Sequence, residues 1–284
     1  MFELAVALAV GFVAGRVTWL ASRPWFAQPA LARPNYRGRS IPVGVGLVLP
    51  IALFVVEAGR AAAGAAGVGD RPGIGAARLL TVAAVTGFCL LGAIDDVAGS
   101  GEYRGFRGHV LALAAGQVTT GLFKLLGGAA VALVAVGPVA GESLGRLLAD
   151  ASLVALGANL GNLLDRGPGR ATKAGLAVFA ALAAGASASA RPALTGVAVV
   201  IGAAAALLSD DLRERLMLGD AGANALGAAL GLGVVLATGP GTRNAALIAL
   251  VVLNGLGEVV SFTKVIDAVP PLRSLDQLGR RHPR

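Results

Sequence analysis

Nine apolar runs dominate the chain, at about 2–20, 41–59, 76–94, 109–128, 146–164, 172–190, 192–209, 221–239 and 244–262, each near the roughly 20 residues that a helix needs to cross a bilayer. Backbone amides have no partner in hydrocarbon except one another, so runs of this length fold as helices. The expectation is an all-α fold: one integral-membrane domain over 1–284, a polytopic bundle of about nine transmembrane helices. Hydrophobic residues make up 56% of the 284 and charged residues 14%, with a mean hydropathy of +0.75, which excludes an ordinary soluble domain of this size. The net charge of +8 does not point to nucleic acid, because the basic residues are dispersed between apolar runs and few aromatics accompany them. The partner implied is the lipid of the bilayer. The single cysteine, Cys89, lies inside an apolar run, so no intramolecular disulfide is available.

Orientation follows from the basic residues. If the loops near 21–40, 95–108, 165–173 and 210–220 and the tail from Lys264 are cytoplasmic, they hold 16 of the 24 Lys and Arg, with Arg16 and Lys124 inside spans. The positive-inside rule then places the N-terminus outside and the C-terminus inside, and Trp19 and Trp25 fall at the inner end of the first span. That first segment carries Glu3 in place of a basic leader and no cleavage site before Arg16, so it is expected to remain as a helix. The Gly- and Ala-rich stretch 127–145 either extends the fourth span or forms a re-entrant piece. A tenth span there would invert everything downstream.

Four polar clusters close apolar runs, all on the cytoplasmic side of this topology. Asp95 and Asp96 end the third run, where burying two carboxylates costs roughly 2.5–3.5 kcal/mol each on insertion scales. Asn159, Asn162 and Asp165, spaced i, i+3, i+6, share about 120° of one helix face. Asp220 stands directly before the eighth run, followed by Asn224, and Arg33, Arg37 and Arg39 precede the second. Carboxylates and amides beside guanidinium groups suit a divalent cation and phosphate oxygens. Plainer readings stand beside these. Asp95 and Asp96 fit interfacial charge, Asp220 a helix N-cap, Asn159 and Asn162 interhelical hydrogen bonds, the first-loop arginines a topology signal, and His109 a structural role. No Walker-type loop, HExxH or paired CxxC occurs.

The order of the clusters carries a resemblance. The segment from Asn35 to Gly46 (NYRGRSIPVGVG) resembles the first cytoplasmic loop of the polyprenyl-phosphate N-acetylhexosamine-1-phosphate transferases, the family of phospho-MurNAc-pentapeptide translocase and its GlcNAc-1-phosphate relatives. Gly92 to Asp96 (GAIDD) is similar to that family's aspartate pair, Asn159 to Asp165 (NLGNLLD) to its NxxNxxD signature, and Leu218 to Asn224 (LGDAGAN) to its GD-x-G segment. The resemblance implies a membrane enzyme that transfers a sugar-1-phosphate from a UDP-sugar to polyprenyl phosphate, releasing UMP, with Mg2+ required. It places this enzyme in a bacterial plasma membrane with a cytoplasmic active site, in cell-envelope glycan synthesis such as that of peptidoglycan, and leaves a homodimer open. By the same resemblance Asp95, Asp96, Asp165 and Asp220 are catalytic, with Asp220, Asp165 and Asp96 on the metal. Asn35, Arg37, Arg39, Arg104, Arg107, His109, Asn159, Asn162, Arg170, Lys173, Met217 and Asn224 bind substrate.

The chain departs from the family pattern in several places. Pro168 stands near a position that is often acidic, and Met217 stands where an aromatic often stacks on the base. No lysine is evident after the aspartate pair, which leaves Arg104, Arg107 and His109 as the available cations. The histidine run of the last cytoplasmic loop and a tenth span are absent, with Arg273, Arg280 and Arg281 as substitutes for the lost donors. Two other functional classes remain. One is a relative that binds lipid phosphate or nucleotide as a scaffold without catalysis. The other is a transporter, against which the clustering of polar residues at one face speaks.

Overall fold

The computed structural model describes residues 1–69, 75–99 and 120–280. Among the described residues nine helices follow one another: α1 (Phe2–Phe26), α2 (Val48–Ala65), α3 (Ala76–Ala98), α4 (Thr120–Val136), α5 (Leu144–Leu164), α6 (Arg170–Gly185), α7 (Thr195–Asp211), α8 (Gly219–Ala237) and α9 (Pro240–Val259). Two short helices, α10 (Phe262–Ala268) and α11 (Pro270–Gln277), end the described chain. A small antiparallel hairpin, β1 (Ala32–Pro34) and β2 (Ser40–Pro42), pairs Arg33 with Ile41 between α1 and α2.

The protein is a multi-pass helical membrane bundle. Among the described residues seven helices are long and apolar enough to cross a bilayer, and α9 with α10, bent by 95°, is an eighth if the two are one broken span. The sequence expectation of nine differs chiefly at α6. Its 16 residues rise only about 24 Å, short of the roughly 30 Å hydrocarbon core, because the helix stops at Gly185 while the apolar run continues to residue 190. Residues 109–119 of the expected fourth span, 109–128, lie outside the described residues, and the described part runs on past residue 128. Helix α4 runs to Val136, a tight turn covers Gly137–Val139, and α5 begins at Leu144, so the Gly- and Ala-rich stretch extends the fourth span and no tenth span intervenes.

Small residues set the packing. Without a hydrophobic force between helices in lipid, close backbone approach supplies the attraction, and glycine permits it. Helix α1 lies parallel to α7, with Gly11 and Gly15 against the backbone of Val199 and Ala203. Helices α5 and α8 run antiparallel, Gly157 and Gly161 of one facing Gly227 and Ala223 of the other. A Cβ at Gly227 would stand 2.1 Å from the carbonyl oxygen of Gly157, which no side chain tolerates. Helix α8 is the central element, with 78% of its apolar window buried. Toward the outside, α1 presents Phe2, Val13 and Val17, and α9 presents Ile248, Val251 and Val252, apolar faces that contact bilayer lipid.

Candidate active site

The N-terminus of α8 organises one end of the bundle. The first N–H groups of any helix have no partner inside it and carry partial positive charge. Here two other helices supply the acceptors. Asp96, near the end of α3, takes the Asp220 N–H on Oδ1 and the Ala221 N–H on Oδ2, both at 3.0 Å, and Asp165, just past α5, takes the Gly219 N–H at 3.1 Å. The residue before the helix, Leu218, has no side-chain cap of its own. Gly219 is required twice over: its φ is +72°, and a Cβ would lie 2.6 Å from Asp96 Oδ2. Desolvation, followed by the carboxylates of Asp211, Asp220 and Asp96, pushes the Asp165 carboxyl well above the ordinary carboxylate range.

With the helix end capped from outside, the Asp220 side chain is free for other work. Its Oδ2 accepts from Asn162 Nδ2 at 2.9 Å and from Lys124 Nζ. Lys124, in the second turn of α4, also donates to Asp95 Oδ2 at 3.0 Å, so one ammonium joins two carboxylates from helices α3 and α8. By sequence Lys124 lies inside a span, and the cations expected beside the aspartate pair are Arg104, Arg107 and His109. Those three lie outside the described residues. The available signal was a lone lysine in an apolar run, which is expensive unless it is paired or functional.

A second assembly flanks the first. Glu214, missed in the sequence reading, lies between α7 and α8 with its side chain buried and φ at +54°, the one non-glycine residue with positive φ among those described. Four first-loop residues converge on its carboxylate: Asn35 Nδ2 at 3.1 Å, Tyr36 Oη at 3.1 Å, Arg37 at 3.2 Å and Arg39 at 3.7 Å. Asn35 Oδ1 also accepts the N–H groups of Arg37 and Arg39, which shapes the hairpin turn. Burial and the Glu214 charge raise the Tyr36 phenol, so it stays neutral and donates. The backbone joins the same two loops, Met217 N–H to Pro42 O at 2.7 Å and Gly46 N–H to Leu218 O at 2.9 Å. Met217 is thereby a half-buried member of the loop pairing.

Other residues read from the sequence go elsewhere. Asn159 Nδ2 donates to Asn254 Oδ1 of α9 at 2.7 Å, an interhelical amide pair separate from Asp220. Three positions on one face are not one site. Arg170, buried at the start of α6, holds Asp276 of α11 through Nε at 2.8 Å and also bonds Thr263. Lys173 donates to the carbonyl oxygens of Leu275, Asp276 and Leu278. Both therefore clasp the C-terminal helices, which Arg280 joins through Asp276 at 2.6 Å. Arg281 lies outside the described residues. Asn224, one turn beyond Asp220 on α8, is buried, and its amide nitrogen has no partner among the described residues.

This separation gives a testable contrast. Asn159→Leu should leave turnover near wild type and cost about 0.6–1.7 kcal/mol of stability, the range for membrane hydrogen bonds. Asn162→Leu should lower turnover between about ten- and a hundredfold by letting Asp220 shift. Paired rate and thermal-melting measurements check both.

As arranged, the carboxylates do not form a magnesium shell. Among the described residues no three Asp, Glu, His or Cys side chains are placed to hold a metal ion. Asp96 and Asp165 are committed to backbone N–H groups and Asp220 to Lys124 and Asn162, so the metal roles read for Asp220, Asp165 and Asp96 do not fit this geometry. No protein-family model matches the chain, and no curated protein matches it.

Proposed function

We propose that the protein transfers a sugar-1-phosphate from a UDP-sugar to polyprenyl phosphate at this end of the bundle, with that end in the cytoplasm of a bacterial cell. The observation that carries the reading is the convergence of residues far apart in sequence: Lys124 joins Asp95 to Asp220, Asn162 bonds Asp220, and Asp96 and Asp165 cap α8. The four motif segments behind the family resemblance supply these residues, apart from Lys124, in the family's order. An oxygen of the lipid phosphate attacks the sugar-bearing phosphorus. The bond from that phosphorus to the bridging oxygen breaks, and UMP departs with the electron pair. A phosphate monoester has a second pKa near 6, so the nucleophile is largely dianionic at neutral pH without a base. The difficulty is anion meeting anion, and positive charge is what the site must supply.

Lys124 provides that charge beside the reacting groups, and Asn162 fixes the carboxylate that holds it. Arg39, two-thirds exposed and loosely paired with Glu214, reaches for phosphate oxygens from the flank. The test is an assay with radiolabelled UDP-hexosamines and undecaprenyl phosphate, which should yield labelled lipid and UMP together. Label in neither product, from folded protein supplied with magnesium, would favour the scaffold reading.

Nine crossings, the short α6 making one of them, with a cytoplasmic C-terminal tail complete the proposal. In a Cys89→Ala background, cysteines at Ser40, Arg166 and Ser274, all exposed at the polar end, should resist an impermeant thiol reagent in intact cells. A cysteine at Ser189, exposed at the opposite end, should react. Labelling of any of the first three would invert the orientation.

A further inference from the structure

We infer that α10 and α11 form an interfacial anchor, lying along the membrane surface at the site end of the bundle with a leucine stripe set into the headgroup region of the leaflet. Direction comes from the bend. The 20 residues of α9 rise about 30 Å, the thickness of the hydrocarbon core, so α9 is long enough to have crossed the bilayer where α10 turns away from it by 95°. A helix that leaves the end of a span at right angles runs parallel to the membrane plane. Depth comes from the neighbouring elements. Thr263 of α10 bonds Arg170 at the start of α6, and Gly169 beside it donates to Asp211 at the end of α7. Helix α1 closes at the same end, where Trp19 bonds Asp210 and the exposed Trp25 sits at the level an indole takes between headgroups and acyl chains.

The side chains of α11 say which surface faces lipid. Its charge is turned inward: buried Asp276 accepts from Arg170 Nε at 2.8 Å and from Arg280 at 2.6 Å. Lys173 donates to the carbonyl oxygens of Leu275, Asp276 and Leu278, where the helix end carries partial negative charge, so this side is fixed to the bundle. Its leucines are turned away. Leu272, Leu275 and Leu278, three residues apart, make a stripe about 120° wide, and all three are exposed. Arg273, Ser274 and Gln277, also exposed, fill the remaining sector. A helix with one side on protein, one apolar and one polar fits the line where bundle, bilayer and water meet. Val265 and Val269 continue the exposed apolar surface toward α9. Charge agrees, because from Lys264 onward the sequence sets Lys264, Arg273, Arg280, Arg281 and Arg284 against Asp267 and Asp276, an excess of cations suited to anionic headgroups. The inference does not depend on the transferase reading.

The test places a nitroxide on single cysteines in the full-length Cys89→Ala protein, reconstituted into vesicles of mixed phosphatidylcholine and phosphatidylglycerol. Electron paramagnetic resonance then compares access of oxygen, which concentrates among acyl chains, with access of a neutral nickel chelate, which stays in water. Labels at Leu272→Cys and Leu275→Cys should show an oxygen-to-nickel ratio at least about threefold above labels at Ser274→Cys and Gln277→Cys. All four side chains are exposed, so the label displaces no packed residue. The contrast between positions one or two residues apart reads orientation, which a merely stable fold would not set. A ratio at Leu275 equal to that at Ser274 would put the stripe in water and overturn the inference. A label at Leu275 shielded from both reagents would put protein over the stripe, another copy or a different chain, and would overturn it as well. Neither result bears on the transfer assay, which stands or falls by itself.

Discussion

Asp220→Asn is expected to lower turnover by about a thousandfold or more while the protein stays folded, the scale seen when an electrostatic group is removed from an active site. The substitution keeps volume and leaves an oxygen for Asn162. It removes the negative charge that, with Asp95, holds the Lys124 ammonium. Helix α8 keeps its caps, because Asp96 and Asp165 reach the backbone and not the Asp220 side chain. Steady-state rates beside a melting curve check this: a collapse in rate with the transition shifted by only a few degrees is the expected pair of results. Near-native turnover would remove Asp220 from the chemistry.

Asp96→Asn should behave differently from Asp95→Asn, although the two residues are adjacent. Asp96 accepts two backbone N–H groups with its two oxygens. An amide offers one oxygen and turns an NH2 toward the other donor, so a buried N–H loses its partner, at about 1–3 kcal/mol, together with the charge that suits a helix N-terminus. The start of α8 then shifts, carrying Asp220 with it. The expected outcome is a clear fall in melting temperature together with a loss of turnover. Asp95→Asn keeps an oxygen for Lys124 and caps nothing, so turnover should fall with less change in melting temperature. Equal destabilisation by both substitutions would contradict the division of labour between them.

Much of the bundle was readable because membrane insertion imposes a crude rule, length and apolarity, that the sequence states openly. The rule says nothing about where within an apolar stretch a helix stops. Gly185 therefore ended α6 short of the expected span, and Val136 carried α4 beyond it. At the site, residue type was legible but partnership was not. Asn159 and Asn162 share a face by spacing, yet one pairs with Asn254 and the other with Asp220, a choice made by which helix lies opposite. Asp220 fits the N-cap pattern, but the cap comes from Asp96 and Asp165, more than fifty positions away in the chain. Lys124 was visible as a charge inside a run. Its partners lie 29 and 96 residues distant, beyond the reach of any local pattern. Glu214 gave no local sign, an acid between Arg213 and Arg215 whose part in docking the first loop depends on the fold bringing Asn35 to Arg39 alongside.

Exchange of labelled UMP into a UDP-sugar, in the presence of the matching lipid-linked diphospho-sugar, tests the proposed chemistry most directly, because it runs the transfer backward and needs no downstream enzyme. Folded, purified protein with magnesium present should move label into at least one UDP-hexosamine of a panel, and Asp220→Asn should not. Absence of exchange for every member of the panel, from protein that melts cooperatively, would contradict the account.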